Sequence, residues 1–365
     1  MKHYNIPIFI PHLGCPYDCI YCNQRAIASQ QAIPEPAQVI ATVEQYLQTI
    51  PAEAHVEIAF FGGSFTAVDR DLQEDYLRLV QPYLRQGRVH SLRVSTRPDY
   101  IDAAALDLLA AYGVKTIELG VQSLSARVLR AAGRDYNAEL VGYSCQLIQS
   151  RQIELGIQLM IGLPEDSYEQ DIATTKQVIA LGPQSVRIYP TLVIAGTVLE
   201  TMWSRGDYMP LSLDEAVATS KDMLLLFQRD NIRVIRLGLY PGEELLREGV
   251  VRAGPFHPSF GELVEQEIFK GQARMALRMY RDKFAPDDGI ELRVNFRDIS
   301  KMTGRHKKNL ADLSQEFGFS SLQVKVAPSL ERDWLGIGPI GTDVMDLTLS
   351  RAEYVAGQGL TEKLI

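Results

Sequence analysis

The stretch Gly14–Asn23, GCPYDCIYCN, decides how the rest of this 365-residue chain is read. Cys15, Cys19 and Cys22 stand at C-x3-C-x2-C spacing in a loop too short to be a core, so something bound must hold the thiols together. Three thiolates so spaced fit a [4Fe-4S] cluster, which normally takes one protein ligand on each iron. One iron would then lack a thiolate and lie open to a small molecule. A structural zinc is the alternative, but it wants a fourth ligand. His12 and His3 are the nearer candidates, because Cys145 sits far away in a helical stretch. A disulfide would need an oxidising compartment, and a Cys19/Cys22 redox pair leaves Cys15 unexplained.

Outward from the thiols the chain repeats strand, loop, helix six times. The strands are short apolar runs: Asn5–Ile10, Val56–Phe61, Val89–Ser95, Val114–Leu119, Ile157–Gly162 and Ser185–Tyr189. Amphipathic helical stretches such as Glu35–Thr49, Asp71–Arg85 and Ser167–Leu181 separate them. Apolar strands alternating with helices predict a covered parallel sheet. Six units rather than eight predict an open or partial barrel. The loops after the strands hold nearly all the unusual residues, and in such folds that rim is the catalytic face. They are the thiols, Gly62-Gly63, Arg97, Gln122 and Gly162.

Each rim residue has a plain structural reading beside its functional one. Gly62-Gly63 lets the backbone approach a ligand closely, or is simply a tight turn. Arg97 offers its planar fork to a ligand carboxylate, or pairs with Asp99 or Asp102 at the surface. Glu118 shares a strand face with Gly120; buried, it needs a partner, either a ribose hydroxyl or Arg187. Arg187 and Tyr189, on one strand face, are expected to line the lower pocket. Tyr21 packs against a bound group or anchors the loop.

The bulk properties exclude other classes. The chain is 46% hydrophobic, enough for a large core, and its formal charge of -8 does not mark it as a polyanion binder overall. The start, MKHYNIPIFIPHLG, is too short and proline-broken to read as a signal peptide, and no run reaches membrane-spanning length. A cytoplasmic protein with no membrane partner is expected. Past residue 240 the pattern changes, giving a division into 1–240, the barrel, and 241–365, a small α+β domain. Within the tail, RVNFRDISKMTGRHKK (Arg293–Lys308) collects six lysines and arginines against one aspartate, a patch suited to RNA phosphates or to a solvated face.

GCPYDCIYCNQ resembles the signature of the radical S-adenosylmethionine superfamily. The resemblance implies a partial (β/α)6 TIM-like barrel. It also implies a [4Fe-4S] cluster on Cys15, Cys19 and Cys22, with S-adenosyl-L-methionine chelated to the fourth iron. Gly62-Gly63 corresponds to the glycine-rich motif after the second strand, with Ser64 where many members carry an acidic residue or threonine. Tyr21 corresponds to the aromatic before the last cysteine. Reductive cleavage of the sulfonium to a 5′-deoxyadenosyl radical is the implied chemistry, fed by a flavodoxin- or ferredoxin-like donor. STRPDYI (Ser95–Ile101), IELGVQS (Ile117–Ser123) and VRIYPTLVIAGT (Val186–Thr197) resemble more closely the radical half of the Elongator catalytic subunit, which modifies tRNA wobble uridine. That resemblance makes a tRNA a candidate partner, although residues 240–365 are not patterned like that enzyme's acetyltransferase domain. The compact cysteine motif is also similar to that of oxygen-independent coproporphyrinogen oxidases, which leaves a small-molecule substrate open. A zinc-stabilised interaction protein is the reading from another class.

Overall fold

The computed structural model describes residues 2–10, 19–23, 33–284 and 289–357; Cys15, His12 and residues 358–365 lie outside them. The chain forms two units. One is Met1–Leu213 with Ile232–Pro258, the other Asp214–Asn231 with Ser259–Ile365. The segment 214–231, assigned from sequence to the barrel, therefore groups with the tail.

The first unit is α/β. Its strands are β1 (His3–Ile10), β2 (His55–Gly62), β3 (Ser91–Thr96), β4 (Val114–Gln122), β5 (Glu154–Ile161), β6 (Ser185–Pro190), the two-residue β7 (Val193–Ile194), β8 (Arg233–Leu237) and β9 (Val251–Ala253). Six of them lie side by side in chain order, and β8 adds a seventh strand next to β6, all parallel. Residues from β1 and from the chain just after β8 line one cavity, so the sheet is curled into a partial barrel. The six units expected are present, and β8 extends the arc.

Two-residue alternation sorts each strand. On β1, Ile6, Ile8 and Ile10 are buried on the helix-covered face, whereas Asn5, Pro7 and Phe9 face inward and are only half-buried. Helix starts follow local capping chemistry. The Asp69 carboxylate accepts the amides of Asp71 and Leu72 at the head of Arg70–Arg85. Asn137 and Ser167 cap Ala138–Gln149 and Tyr168–Leu181 in the same way, and Gly182 ends the latter in the left-handed conformation. Each helix then lays an apolar face on the sheet; for Arg70–Arg85 it is Tyr76, Leu77, Val80 and Tyr83.

The second unit is α+β. A four-stranded sheet runs β11 (Ser321–Val326), β10 (Gly289–Val294), β12 (Trp334–Pro339), β13 (Leu347–Ser350), with the first pair parallel and the others antiparallel. The helix Phe260–Lys283 buries Val264, Ile268, Phe269, Ala273 and Leu277. Strand β12 escapes sequence reading because Gly336 and Gly338 interrupt the alternation; at Gly338 any side chain would collide with the Val344 carbonyl. Among the described residues, no helix is long and apolar enough to cross a membrane.

Candidate active site

The thiol loop is fastened to the rim by main-chain bonds. Ile20 N–H donates to the Ala132 carbonyl (3.4 Å), Leu199 N–H donates to the Ile20 carbonyl (2.9 Å), and Asn23 Nδ2 donates to the Ala195 carbonyl (2.7 Å). Cys19 and Cys22 are half-buried there. Tyr21 packs against Val128, Ala132 and Leu163. Cys15, the third sequence-predicted ligand, lies outside the described residues. His3, weighed as a fourth zinc ligand, sits at the far end of β1, roughly 20 Å of strand from the loop.

Two guanidinium groups face the Cys19 sulfur, and they differ in how they are neutralised. Arg97 Nη1 lies 3.8 Å from Cys19 Sγ, but its Nε and Nη2 hold the Asp99 carboxylate at 2.9 and 2.8 Å. The expected Asp99 pairing therefore exists, in a buried setting rather than at the surface. Arg134, which sequence reading missed, donates to Cys19 Sγ (3.4 Å), Tyr21 Oη (2.8 Å), Tyr136 Oη (2.7 Å) and the Gly120 carbonyl (2.6 Å). It is 4% exposed and has no carboxylate partner among the described residues. Burial works against its charge, but the Tyr21 and Tyr136 oxygens and the Cys19 thiol outweigh this and hold it protonated. Burial likewise pushes the Tyr21 phenol up, against the pull of Arg134.

The backbone beside these groups adopts conformations that need explaining. Gly62 has φ +111°, and a Cβ there would stand 2.5 Å from the Ile10 carbonyl oxygen. Only glycine fits where β1 and β2 end together. Gly63 N–H donates to that same carbonyl (2.9 Å). Ser64 is turned inward, its Oγ accepting Arg97 N–H (2.9 Å) and lying 3.2 Å from Thr96 Oγ1. Gln122 sits at φ +66°, where the β4–β5 register shifts, and its buried Oε1 has no partner among the described residues. A strained glutamine with an unmet acceptor at a strand end is a group waiting for a donor. Gly162, at φ +71°, leaves room for the Leu211 side chain and accepts from Tyr208.

Below the rim the inner face carries a closed ionic layer. Glu118 accepts from Arg93 (2.8 Å), from Arg187 Nε and Nη2 (2.7 and 2.9 Å) and from Gln158 (3.0 Å). Arg93 also grips Glu57, which takes Ser91 Oγ as well. Burial opposes the Glu118 charge, yet Arg187 and Arg93 hold its carboxyl below the usual range. The expected pairing of Glu118 with Arg187 is thus present. Arg187 and Tyr189 line a cavity of about 870 Å³. The buried Asn5 Oδ1 and Ser95 Oγ, both on the wall of that cavity, lack partners among the described residues.

The donor set fits an iron–sulfur cluster. A thiol such as Cys19 that receives N–H groups from two buried cations suits an anionic metal–sulfur centre. Gln122 and Arg134 remain for a polar, anion-bearing ligand beside it.

Of the predicted tail cations, Arg293 is buried on Glu291 (2.8 Å) and the carbonyls of Thr342 and Val344. Lys301 is held by Asp298 (3.1 Å). Arg297, Arg305, Lys307 and Lys308 are exposed.

A curled parallel sheet, thiols on the loop after its first strand and polar groups along its C-terminal rim define an enzyme of the cluster-bearing partial-barrel class. Comparison with known families agrees. The radical SAM superfamily model matches residues 9–177 and the radical SAM C-terminal domain model residues 183–270. The chain belongs to the radical SAM superfamily, a family of enzymes that carry a [4Fe-4S] cluster and S-adenosylmethionine. It is 28% identical over 239 residues to a tRNA uridine(34) acetyltransferase of Dehalococcoides mccartyi, covering 56% of this chain and 52% of that one. It is 28% identical over 199 residues to Elongator complex protein 3 of Bos taurus, covering 48% and 36%. The chain thus spans about half or less of the length of these two relatives. An N-terminally deleted Elp3 of the archaeon Methanocaldococcus infernus shares the fold, at TM-score 0.60 and 22% identity over 80% of this chain and 70% of that one.

Proposed function

We propose that this chain binds a [4Fe-4S] cluster on Cys15, Cys19 and Cys22 and S-adenosylmethionine across the rim, and uses them to abstract a hydrogen atom from a substrate in the barrel cavity. When bound, the cluster and the sulfonium nucleotide supply one-electron cleavage to a 5′-deoxyadenosyl radical. The electron comes from an external flavodoxin- or ferredoxin-like donor. This chain's own residues bind, orient and exclude water. The observation that carries the reading is Arg134: a buried guanidinium beside Cys19 whose partners are phenols, a thiol and a carbonyl. It is the cation best suited to a ligand carboxylate, because the Arg97 fork is already filled by Asp99. Gln122 Oε1 offers an acceptor to the nucleoside end. Gly62 and Gly63 let the main chain come close to the amino-acid end.

A tRNA base is the substrate that the named relatives support, through sequence likeness over about half of this chain. The cavity supports a second reading, a free small molecule, because about 870 Å³ lies within the usual range for such ligands. Anaerobic reconstitution tests the chemistry: about four irons per chain, and 5′-deoxyadenosine on adding reductant and S-adenosylmethionine. A cluster spectrum that S-adenosylmethionine leaves unaltered overturns it. Nucleoside and metabolite profiles of cells with and without the gene separate the substrates; an unchanged nucleoside pattern removes the tRNA reading.

A further inference from the structure

The geometry points to a second metal site, formed by His3, His55 and Glu57 at the N-terminal end of the barrel and taking a divalent transition-metal ion. Register places them together: His3 pairs with His55 and Asn5 with Glu57 across β1 and β2. Alternation then turns His3, His55 and Glu57 to the inner face, at the strand ends opposite the thiols. One ligand atom from each lies within 4.8 Å of those of the other two. His3 Nε2 is 2.9 Å from Glu57 Oε2, and the His3 and His55 rings stack with centroids 5.1 Å apart.

Two imidazoles and one carboxylate suit Zn²⁺, Co²⁺ or Ni²⁺, not Mg²⁺ or Ca²⁺. The His90 ring also packs on His55, with centroids 4.6 Å apart. Surrounding groups have assigned parts. Arg93 holds the same Glu57 Oε2 that His3 reaches, and Ser91 donates to Oε1, so the carboxylate is fixed in place. That guanidinium tempers the charge a cation would see, so micromolar rather than nanomolar affinity is expected. Glu154 faces His55 and adds negative potential. His90 Nδ1 is committed to the Val56 amide. Ligation through His3 Nε2 requires that nitrogen to be without a proton, any ring proton then lying on Nδ1. A bound ion would staple the edge strand that leads into the thiol loop onto its neighbour.

The test uses full-length protein with its thiols already loaded anaerobically with iron and sulfide. It is dialysed against micromolar Zn²⁺, and zinc is counted by plasma mass spectrometry. One zinc per chain is expected, with nitrogen and oxygen but no sulfur in its X-ray absorption shell. Affinity should fall at least tenfold in His3→Ala and in His55→Ala. A Cys15→Ser/Cys19→Ser/Cys22→Ser protein should keep the zinc. His3 has a 44% exposed side chain, so His3→Ala serves even if His55→Ala misfolds. Zinc bound equally by His3→Ala and wild type, or lost with the thiols, overturns the site.

Discussion

Two layers of one barrel use the same side-chain types to opposite effect. In the lower layer Glu118 is satisfied by Arg93 and Arg187. At the rim, among the described residues, Arg134 carries a charge with no carboxylate against it, and Gln122 Oε1 is buried without a partner. A saturated network fixes shape, because any change in it strands a buried charge. An unsaturated one stores binding capacity, because a ligand can complete it. The difference separates scaffold from site without reference to residue type.

The largest expected effect belongs to the rim. Cys19→Ala should abolish cluster retention and 5′-deoxyadenosine formation together, read as iron content and product by chromatography. Deoxyadenosine persisting in that variant would remove Cys19 from the ligand set. Next, the two arginines should part company. Arg134→Gln should weaken S-adenosylmethionine binding about 10–100-fold, the loss of a charge-assisted bond worth ~1.5–3 kcal/mol. Arg97→Gln should weaken it less than tenfold while lowering stability, because it leaves Asp99 partly buried and unpaired. Equal binding losses would erase the distinction drawn between a filled and an open guanidinium. In the lower layer, Glu118→Gln should cost about 3–5 kcal/mol of stability in urea unfolding, since Arg93 and Arg187 would both lose a carboxylate. Gln122→Ala should cost little in the same measurement and show its effect in nucleotide binding.

Much of the rim was legible in sequence because strand-end position is a one-dimensional property. A strand that stops at Gly62, Arg97, Gln122 or Gly162 announces its loop without any knowledge of neighbours. Glu118 and Arg187 were also readable, since alternation put both on the inner face and burial demanded a partner. Arg134 was not. It follows the short helix Ala126–Ala131 in a loop that reads as a surface connection, AAGRDY, and reaches Cys19 only through the curl of the sheet. Its one sequence signal was Tyr136 two residues on, which stacks against it at 5.1 Å. The tail misleads in the opposite direction. Arg293–Lys308 looks uniformly basic, yet strand β10 turns Arg293 inward and Asp298 draws Lys301 into the interior. Charge runs do not encode which members face water.

The smallest effect concerns a polar pair that is neither scaffold nor site in the sense above. Asp171 is buried at the start of the helix Tyr168–Leu181, and burial together with the neighbouring Asp166 carboxylate pushes its carboxyl far above the usual range. Asp166 accepts the Ser167 amide at 2.9 Å, which favours leaving the negative charge on Asp166 and the proton on Asp171. The folded state thus holds a proton that the unfolded chain releases near pH 4. Stability from this pair is complete below that value and declines as pH rises toward the folded titration. Asp171→Asn replaces the proton with an amide donor that does not titrate. Its melting temperature should match wild type near pH 4 and already exceed it by about 3 °C at pH 5, because each pH unit over which only the folded state holds the proton is worth about 1 kcal/mol. A difference that stays constant across that range would mean that the two carboxyls share no proton, and that the loop bearing Gly162 is held by its main-chain bonds alone.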